Sequence, residues 1–208
     1  VTGSGAKKGY LVNDVRRKKE TFVSYFPTVL FHPEDLVLVI GSPSQRRKVL
    51  DDVLIQAYPH YSQILTQYGK IVTARNRVLD AIREGTAKTD QLVYWTEMLL
   101  KLGAEIYQFR YRFFDFAKQC EGKYTFNYMP KIVCATDSND EKFVHDIRQM
   151  LKNRIEENTH KEVMSATSQY GPHKDDFGFC MDERDIALYG SRGEQRAATF
   201  AFKKIQLQ

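Results

Sequence analysis

Leu92, Trp95, Leu99, Leu102, Ile106, Phe109, Phe113 and Phe116 recur at alternating intervals of three and four residues. Only an α-helix places such a set along one side. Just upstream, Tyr61, Ile64, Tyr68, Ile71, Arg75, Val78 and Ile82 follow the same rule. Gly85 to Asp90 reads as a turn between them, with Thr89 or Asp90 capping the second helix. Two long helices joined by a short turn lie antiparallel, so residues 60 to 119 predict a helical hairpin. Each large apolar side chain buried in the seam contributes about 1.5–3 kcal/mol, which outweighs any surface charge in setting the fold. The aromatic stripe is therefore core rather than a base-stacking platform. Arg75, inside the first seam, either snorkels outward or pairs across the hairpin.

The flanking segments are mixed. Gly9 to Val12 and Thr21 to Tyr25 predict short strands around the turn pair Asn13-Asp14, with Arg16 to Lys19 exposed. Thr28 to Phe31 is a third extended piece, ended by Pro33, which holds His32 out of the helical region. Glu34 and Asp35 read as helix-initiating carboxylates. Ser44 is the expected N-cap of a helix with Val49, Leu50, Val53, Leu54 and Ala57 on one face, broken by Tyr58-Pro59. After Gly122, Tyr124, Phe126 and Tyr128 alternate as a strand that Ile132 and Cys134 can continue. Asn139 or Asp140 caps a helix carrying Phe143, Val144, Ile147, Met150, Leu151 and Ile155, closed by Asn158-Thr159-His160. Phe177, Phe179 and Met181 form a strand, and Asp182-Glu183 turns into a second one ending at Leu188. The expected class is mixed α and β, predominantly helical.

Tyr189 to Arg196 reads Y-G-S-R-G-E-Q-R and runs into Ala197, Ala198, Phe200, Ala201 and Ile205. That is a loop opening a helix, with Ser191 or Gly193 near the N-cap. Free backbone N–H groups and the positive end of the helix dipole suit a phosphate there. An ordinary helix cap has the same residues. Two other stretches add to the pattern: Tyr170-Gly171-Pro172-His173-Lys174-Asp175-Asp176, and Leu30-Phe31-His32-Pro33-Glu34-Asp35-Leu36 followed by Gly41-Ser42-Pro43-Ser44-Gln45-Arg46-Arg47. In this order and spacing the three resemble the RecF family of recombination-repair ATPases, relatives of SMC and ABC-type ATPases. The usual forms there are F-S-P-E-D-L with G-S-P-x-x-R-R, G-P-H-R-D-D and G-S-Q-G-Q-Q-R. His32 stands for Ser, Lys174 for Arg and Glu194 for Gln. No G-x-x-x-x-G-K-[ST] phosphate loop occurs, and Gln208 precedes any Walker B carboxylate, so the chain looks like a central-to-C-terminal part of such a protein.

The resemblance implies a nested organisation. Residues 1 to 32 and 166 to 208 would belong to a partial ABC-type ATPase head, with a helical lid over residues 33 to 165 inserted into it. It implies a signature that meets ATP bound by an opposing subunit: Ser191 and the Gly193 backbone contact the γ-phosphate in trans, beside Arg192. Gln195 and Arg196 brace the signature helix, while Glu194 is tolerated if it points away or pairs with Arg192 or Arg196. His32 falls near the Gln of a Q-loop, although an exposed loop His reads the same way. For His173, Lys174, Asp175 and Asp176 a catalytic reading is open, but adjacent carboxylates on an extended segment point to opposite faces, which favours a structural joint. The implied function is ATP-dependent DNA binding in recombination, replication, repair and the SOS response, with ATP and Mg in the complete protein and none held by this chain alone. Its implied partners are double-stranded and gapped DNA, a RecR-like protein and a second copy in an ATP-dependent homodimer. The alternative is a non-catalytic lid module that docks DNA or a partner. The family is a weak ATPase; lacking both Walker segments, this chain is expected to be inactive, with no catalytic residue of its own.

Charge adds a weaker argument. The chain of 208 residues carries a formal +5, and Arg16, Arg17, Arg46, Arg47, Lys48, Arg75 and Arg77 are the DNA-binding candidates, although such clusters are more often solvated faces. Cys120, Cys134 and Cys180 are widely spaced without a C-x-x-C pair, which predicts reduced, buried thiols in a cytoplasmic protein. Their spacing from the five histidines suits no metal, and no apolar run approaches a membrane-spanning length.

Overall fold

The computed structural model describes residues 9–17, 22, 25, 29–120 and 122–206. Tyr10–Val12 (β1) and Val15–Arg17 (β2) pair antiparallel. Asn13 and Asp14 close the hairpin with positive φ of 50° and 61°, a conformation these residue types tolerate. Arg16 and Arg17 are exposed, as the sequence predicts. Of the strand expected over 21–25, Phe22 and Tyr25 are helical, and the remainder, like Lys18, Lys19 and Thr28, lies outside the described residues. Residues 29–32 are irregular rather than a third strand, with His32 extended (φ −124°, ψ 147°) ahead of Pro33.

A 3-10 turn, Pro33–Leu36, leads into Val37–Ile40 (α1) and then Pro43–Ala57 (α2). The N-cap of α2 is Ser42, not Ser44: with Pro43 at the first helical position, Ser42 closes a capping box with Gln45. Tyr61–Arg83 (α3) and Leu92–Gln119 (α4) form the hairpin. Its turn differs slightly from expectation, since Lys88 caps a 3-10 turn over Thr89–Gln91 before α4 begins. The seams are largely as read, with two corrections. Leu79 rather than Val78 is buried on α3, and Phe116 is 40% exposed although Phe113, Phe114 and Ala117 beside it are buried. On α4, Leu100, Ala104, Tyr107, Phe114 and Ala117 are buried as well as the stripe. That helix is covered on several sides, by α3, by the strand Tyr124–Met129 (β3) and by Phe143–Ser165 (α5).

β3 stops before Pro130, which has no N–H for the ladder, so Ile132 and Cys134 do not extend it. The N-cap of α5 is Lys142, without a side-chain cap, rather than Asn139 or Asp140; Asp140 accepts from the Lys142 N–H in the turn ahead of the helix. Met150 lies outside the buried face of α5 at 41% exposure. The helix does not close at Asn158: it runs on to Ser165 and ends at Ala166 in the left-handed conformation (φ 50°). Its last turns bury Asn158, which donates to the Arg154 carbonyl one turn back, and Glu162, whose partners are Arg75 on α3 and the Gln169 N–H beyond the helix. Asp176–Met181 (β4) pairs antiparallel with β3 from Tyr124 opposite Met181 to Met129 opposite Asp176. The turn at Asp182-Glu183, both positive in φ, opens a strand of only Arg184–Asp185 (β5). Asp185 then caps a helical turn, Ile186–Tyr189 (α6), so the expected strand does not reach Leu188. Arg192–Ile205 (α7) closes the described chain.

One continuous apolar cluster runs from Leu38 through α2, α4, α5 and the three-stranded sheet to Ile205. β3, from the expected lid, is thus laddered to β4, from the expected head, and Phe202 of α7 packs on Phe126, Phe177 and Phe179. No disulfide joins the three cysteines among the described residues; Cys134 is buried, and Cys120 and Cys180 are half-buried. No helix among the described residues is long and apolar enough to cross a membrane, and no cluster of three His, Cys, Asp or Glu among them could hold a metal.

Candidate nucleotide signature and its buried joint

Ser191 is the N-cap of α7, in extended conformation, and its Oγ accepts from the Glu194 N–H at 3.3 Å. The Glu194 carboxylate folds back to accept from the Ser191 N–H at 2.7 Å and from its hydroxyl at 2.8 Å. These hydrogen bonds hold the Glu194 carboxyl below the ordinary range. Glu194 therefore pairs with Ser191 rather than with Arg192 or Arg196. Ser191, Arg192, Gly193 and Arg196 are exposed. Gln195 is buried and donates to the Gly190 carbonyl at 3.2 Å, so it ties the loop to the helix. A Cβ at Gly190 would meet the Ile186 carbonyl at 2.6 Å, so only glycine lets α6 fold directly onto this loop.

The His32 turn lies beside this helix. Asp35 accepts from the His32 N–H at 2.8 Å, and His32 Nδ1 accepts from the Glu34 N–H at 3.3 Å, a capping box. Lys203 of α7 reaches Asp35 at 3.5 Å, and the Phe31 ring meets Phe200 edge-on at 5.7 Å. His32 and Ser191 thus belong to elements joined directly by α7.

Within the His173 to Asp176 motif Asp175 is buried, while His173, Lys174 and Asp176 are half-buried. Asp175, 1% exposed, accepts from Tyr128 Oη at 2.6 Å, Tyr107 Oη at 3.1 Å and the Lys131 N–H at 2.8 Å. Arg110, also buried, reaches Asp175 at 3.3 Å, Asp51 at 2.9 Å and the Pro172 carbonyl at 2.6 Å. Burial pushes the Asp175 carboxyl up, opposed by Arg110 and by its three donors. Asp176 faces the other way and takes a bidentate pair from Arg46, both contacts at 2.7 Å. His173 Nε2 lies 3.0 Å from the Ser168 carbonyl, which requires the proton there, and Nδ1 accepts from Tyr68 Oη at 2.7 Å. Burial, followed by the nearby Lys174, Arg47 and Arg110, lowers the His173 pKa to about 4, so the ring is neutral. Asp175 and Asp176 address different partners on opposite sides, an arrangement for joining elements rather than for acid–base work on one atom.

Three of the seven DNA candidates are engaged within the fold. Arg75 is 1% exposed and pairs with Glu162 on α5 at 2.6 Å, while also donating to Ser168 and, across the hairpin, to Thr96. Arg46 holds Asp176, and Arg47 donates to the Asp175 carbonyl at 2.7 Å. Arg16, Arg17, Lys48 and Arg77 are exposed. Sequence reasoning missed Arg110, Asp51 and Tyr107, and read Tyr68 and Tyr128 only as seam and strand positions. A cation inside the aromatic run Phe109 to Phe114 was the available signal for Arg110.

No family model matches the chain. It is 31% identical over 207 residues to the DNA replication and repair protein RecF of Halothermothrix orenii, covering 95% of this chain and 55% of that protein. RecF of Syntrophotalea carbinolica is 30% identical over 217 residues, covering 100% and 57%. Among solved structures, the recombination mediator protein RecF-ATPrS of the RecFOR pathway superposes with a TM-score of 0.83 at 28% identity, over 94% of this chain and 54% of that one. The RecF-ATP structure gives 0.82 with the same coverage. The chain spans about half the length of the relatives it matches.

Proposed function

The chain is homologous to RecF proteins over nearly its whole length and corresponds to about half of one; from that premise we propose that it supplies the signature and lid of an ATP-dependent DNA repair protein. The observation that carries this reading is Ser191, exposed at the head of a helix braced from inside by the buried Gln195. Ser191 Oγ and the first N–H groups of α7 receive the γ-phosphate of ATP bound by an opposing subunit, and Ser191 reports ATP by closing a dimer rather than acting as a nucleophile. The phosphate then takes the place of the Glu194 carboxylate, which already marks the position as one for an anion. Phosphate loop, metal ligands and Mg would come from segments outside this chain, so the chain alone does not turn over ATP.

The buried joint gives the reading a mechanical side. Asp175, Arg110 and Asp51 fasten the segment before β4 to α2 and α4, so closure at Ser191 is transmitted to the helical hairpin as movement of a rigid piece. Duplex or gapped DNA and a RecR-like protein are the partners this assigns. The test is a chimera in which the chain replaces the matching segment of a full-length RecF relative. ATP should drive its dimerisation, and Ser191→Arg should abolish the dimer while leaving ATP binding intact. Unchanged ATP-dependent dimerisation in that variant would remove the trans role.

A further inference from the structure

Between the start of α2, the end of α5 and the segment leading to β4 lies an open cleft of about 710 Å³. Four of its lining residues are cations, Arg47, Lys131, Lys161 and Lys174, and none is a carboxylate. They come from four separate parts of the chain, so no single basic run in the sequence reveals the cluster. Lys131 and Lys161 are exposed and Lys174 half-buried, and none of their side chains is spent on an ion pair among the described residues. The carboxylates closest in sequence are occupied elsewhere: Asp175 by Arg110 and two tyrosines, Asp176 by Arg46, Glu162 by Arg75. Pro43, the first residue of the 15-residue helix α2, lines the same cleft and adds the positive end of that helix dipole.

We propose that this cleft, to which Arg47 alone of the DNA candidates named from sequence contributes, and not the β1–β2 hairpin, is where the chain grips the phosphodiester backbone of duplex DNA. The inference rests on the DNA-binding reading above and adds the place and the residues. The cleft offers charge without a stacking platform. Its aromatic residue, Tyr170, already carries the Arg154 guanidinium 5.8 Å from its ring centroid. That favours backbone contacts over base contacts, and so duplex over single strand. The joint beneath it keeps the cations in place, because the Lys131 N–H and the Arg47 guanidinium are both bonded to Asp175.

The test compares three versions of this chain by fluorescence-polarisation titration with a labelled duplex at several salt concentrations. They are the wild type, the triple variant Lys131→Gln, Lys161→Gln, Lys174→Gln, and the pair Arg16→Gln, Arg17→Gln. The triple variant should bind at least ~10-fold more weakly and lose about 2–3 from the slope of log affinity against log salt, near 0.9 per lost phosphate contact. The hairpin pair should bind like the wild type. Unchanged melting temperatures would confirm that a loss comes from the cleft rather than from unfolding. A triple variant that binds as well as the wild type would overturn the cleft and leave the DNA reading standing. A wild type without salt-dependent duplex binding would overturn both, and equal or tighter binding to single strands would overturn the backbone-only geometry.

Discussion

Acid should loosen the joint through one imidazole. In the folded chain His173 is neutral, giving its Nε2 proton to the Ser168 carbonyl and accepting from Tyr68, with a pKa lowered to about 4 mainly by burial. In the unfolded chain it titrates near its ordinary value of about 6.5. Between those values the unfolded state binds more protons, so His173 contributes stability that is present above about pH 6.5 and lost as the pH falls towards 4. A displacement from about 6.5 to about 4 corresponds to roughly 3 kcal/mol across that window. Asp175 acts in the opposite direction: with its folded pKa raised by burial, it takes a proton before the unfolded chain does, so its contribution grows as the pH falls. The difference between the wild type and His173→Gln removes Asp175 and every other carboxylate from the comparison. Urea denaturation of both proteins from pH 8 to 4.5 should show the variant less stable at neutral pH, with the gap narrowing by about 2–3 kcal/mol at the acid end. A gap that stays constant with pH would refute the neutral-ring geometry.

Two further perturbations test the core. Arg110→Met strands Asp175 and Asp51 without their cation and should cost about 3–5 kcal/mol, or roughly 6–20 °C in Tm for a chain of this size, read by thermal denaturation. Adding Asp175→Asn should recover part of the loss, and a cost below about 1 kcal/mol would show that the network is not held by charge. Leu102→Asp places an unpaired carboxylate where the native side chain is 5% exposed, and it should abolish cooperative unfolding by circular dichroism, whereas Leu102→Met should retain it. A wild-type melt for the Asp variant would contradict the hairpin seam.

The hairpin was legible because a helix repeats its inward face every three or four residues, and α3 and α4 carry that repeat without interruption. Ser191 as an N-cap was legible too, since a cap depends on neighbours within four residues. What escaped depends on distant partners. The end of α5 looked closed at Asn158-Thr159-His160 because its continuation buries Glu162, a residue that reads as exposed until Arg75 is placed 87 positions away. Arg46 and Arg75 read as a polyanion surface for the same reason: spacing reports charge, whereas the carboxylate that neutralises it lies on another element. The cationic cleft is the converse case, assembled from single residues that no local window groups. Asp185 accepts from the Ala187 N–H and Gly190 leaves room for Ile186, so a segment with strand-like alternation forms a helical turn.

The tip of the α3–α4 hairpin has a consequence for length. From Arg83 to Gln91 the residues are exposed apart from the half-buried Ala87, while the buried pair of Arg75 and Glu162 and the network around Arg110 lie further down the arms. Seven residues added to each arm would move the tip outward by about 10 Å and keep both seams in phase, without displacing any group that fastens the base. Reach is therefore an adjustable dimension of this architecture, separable from the chemistry at its foot. A single residue inserted into one arm would instead rotate every position beyond it by about 100° and break the seam.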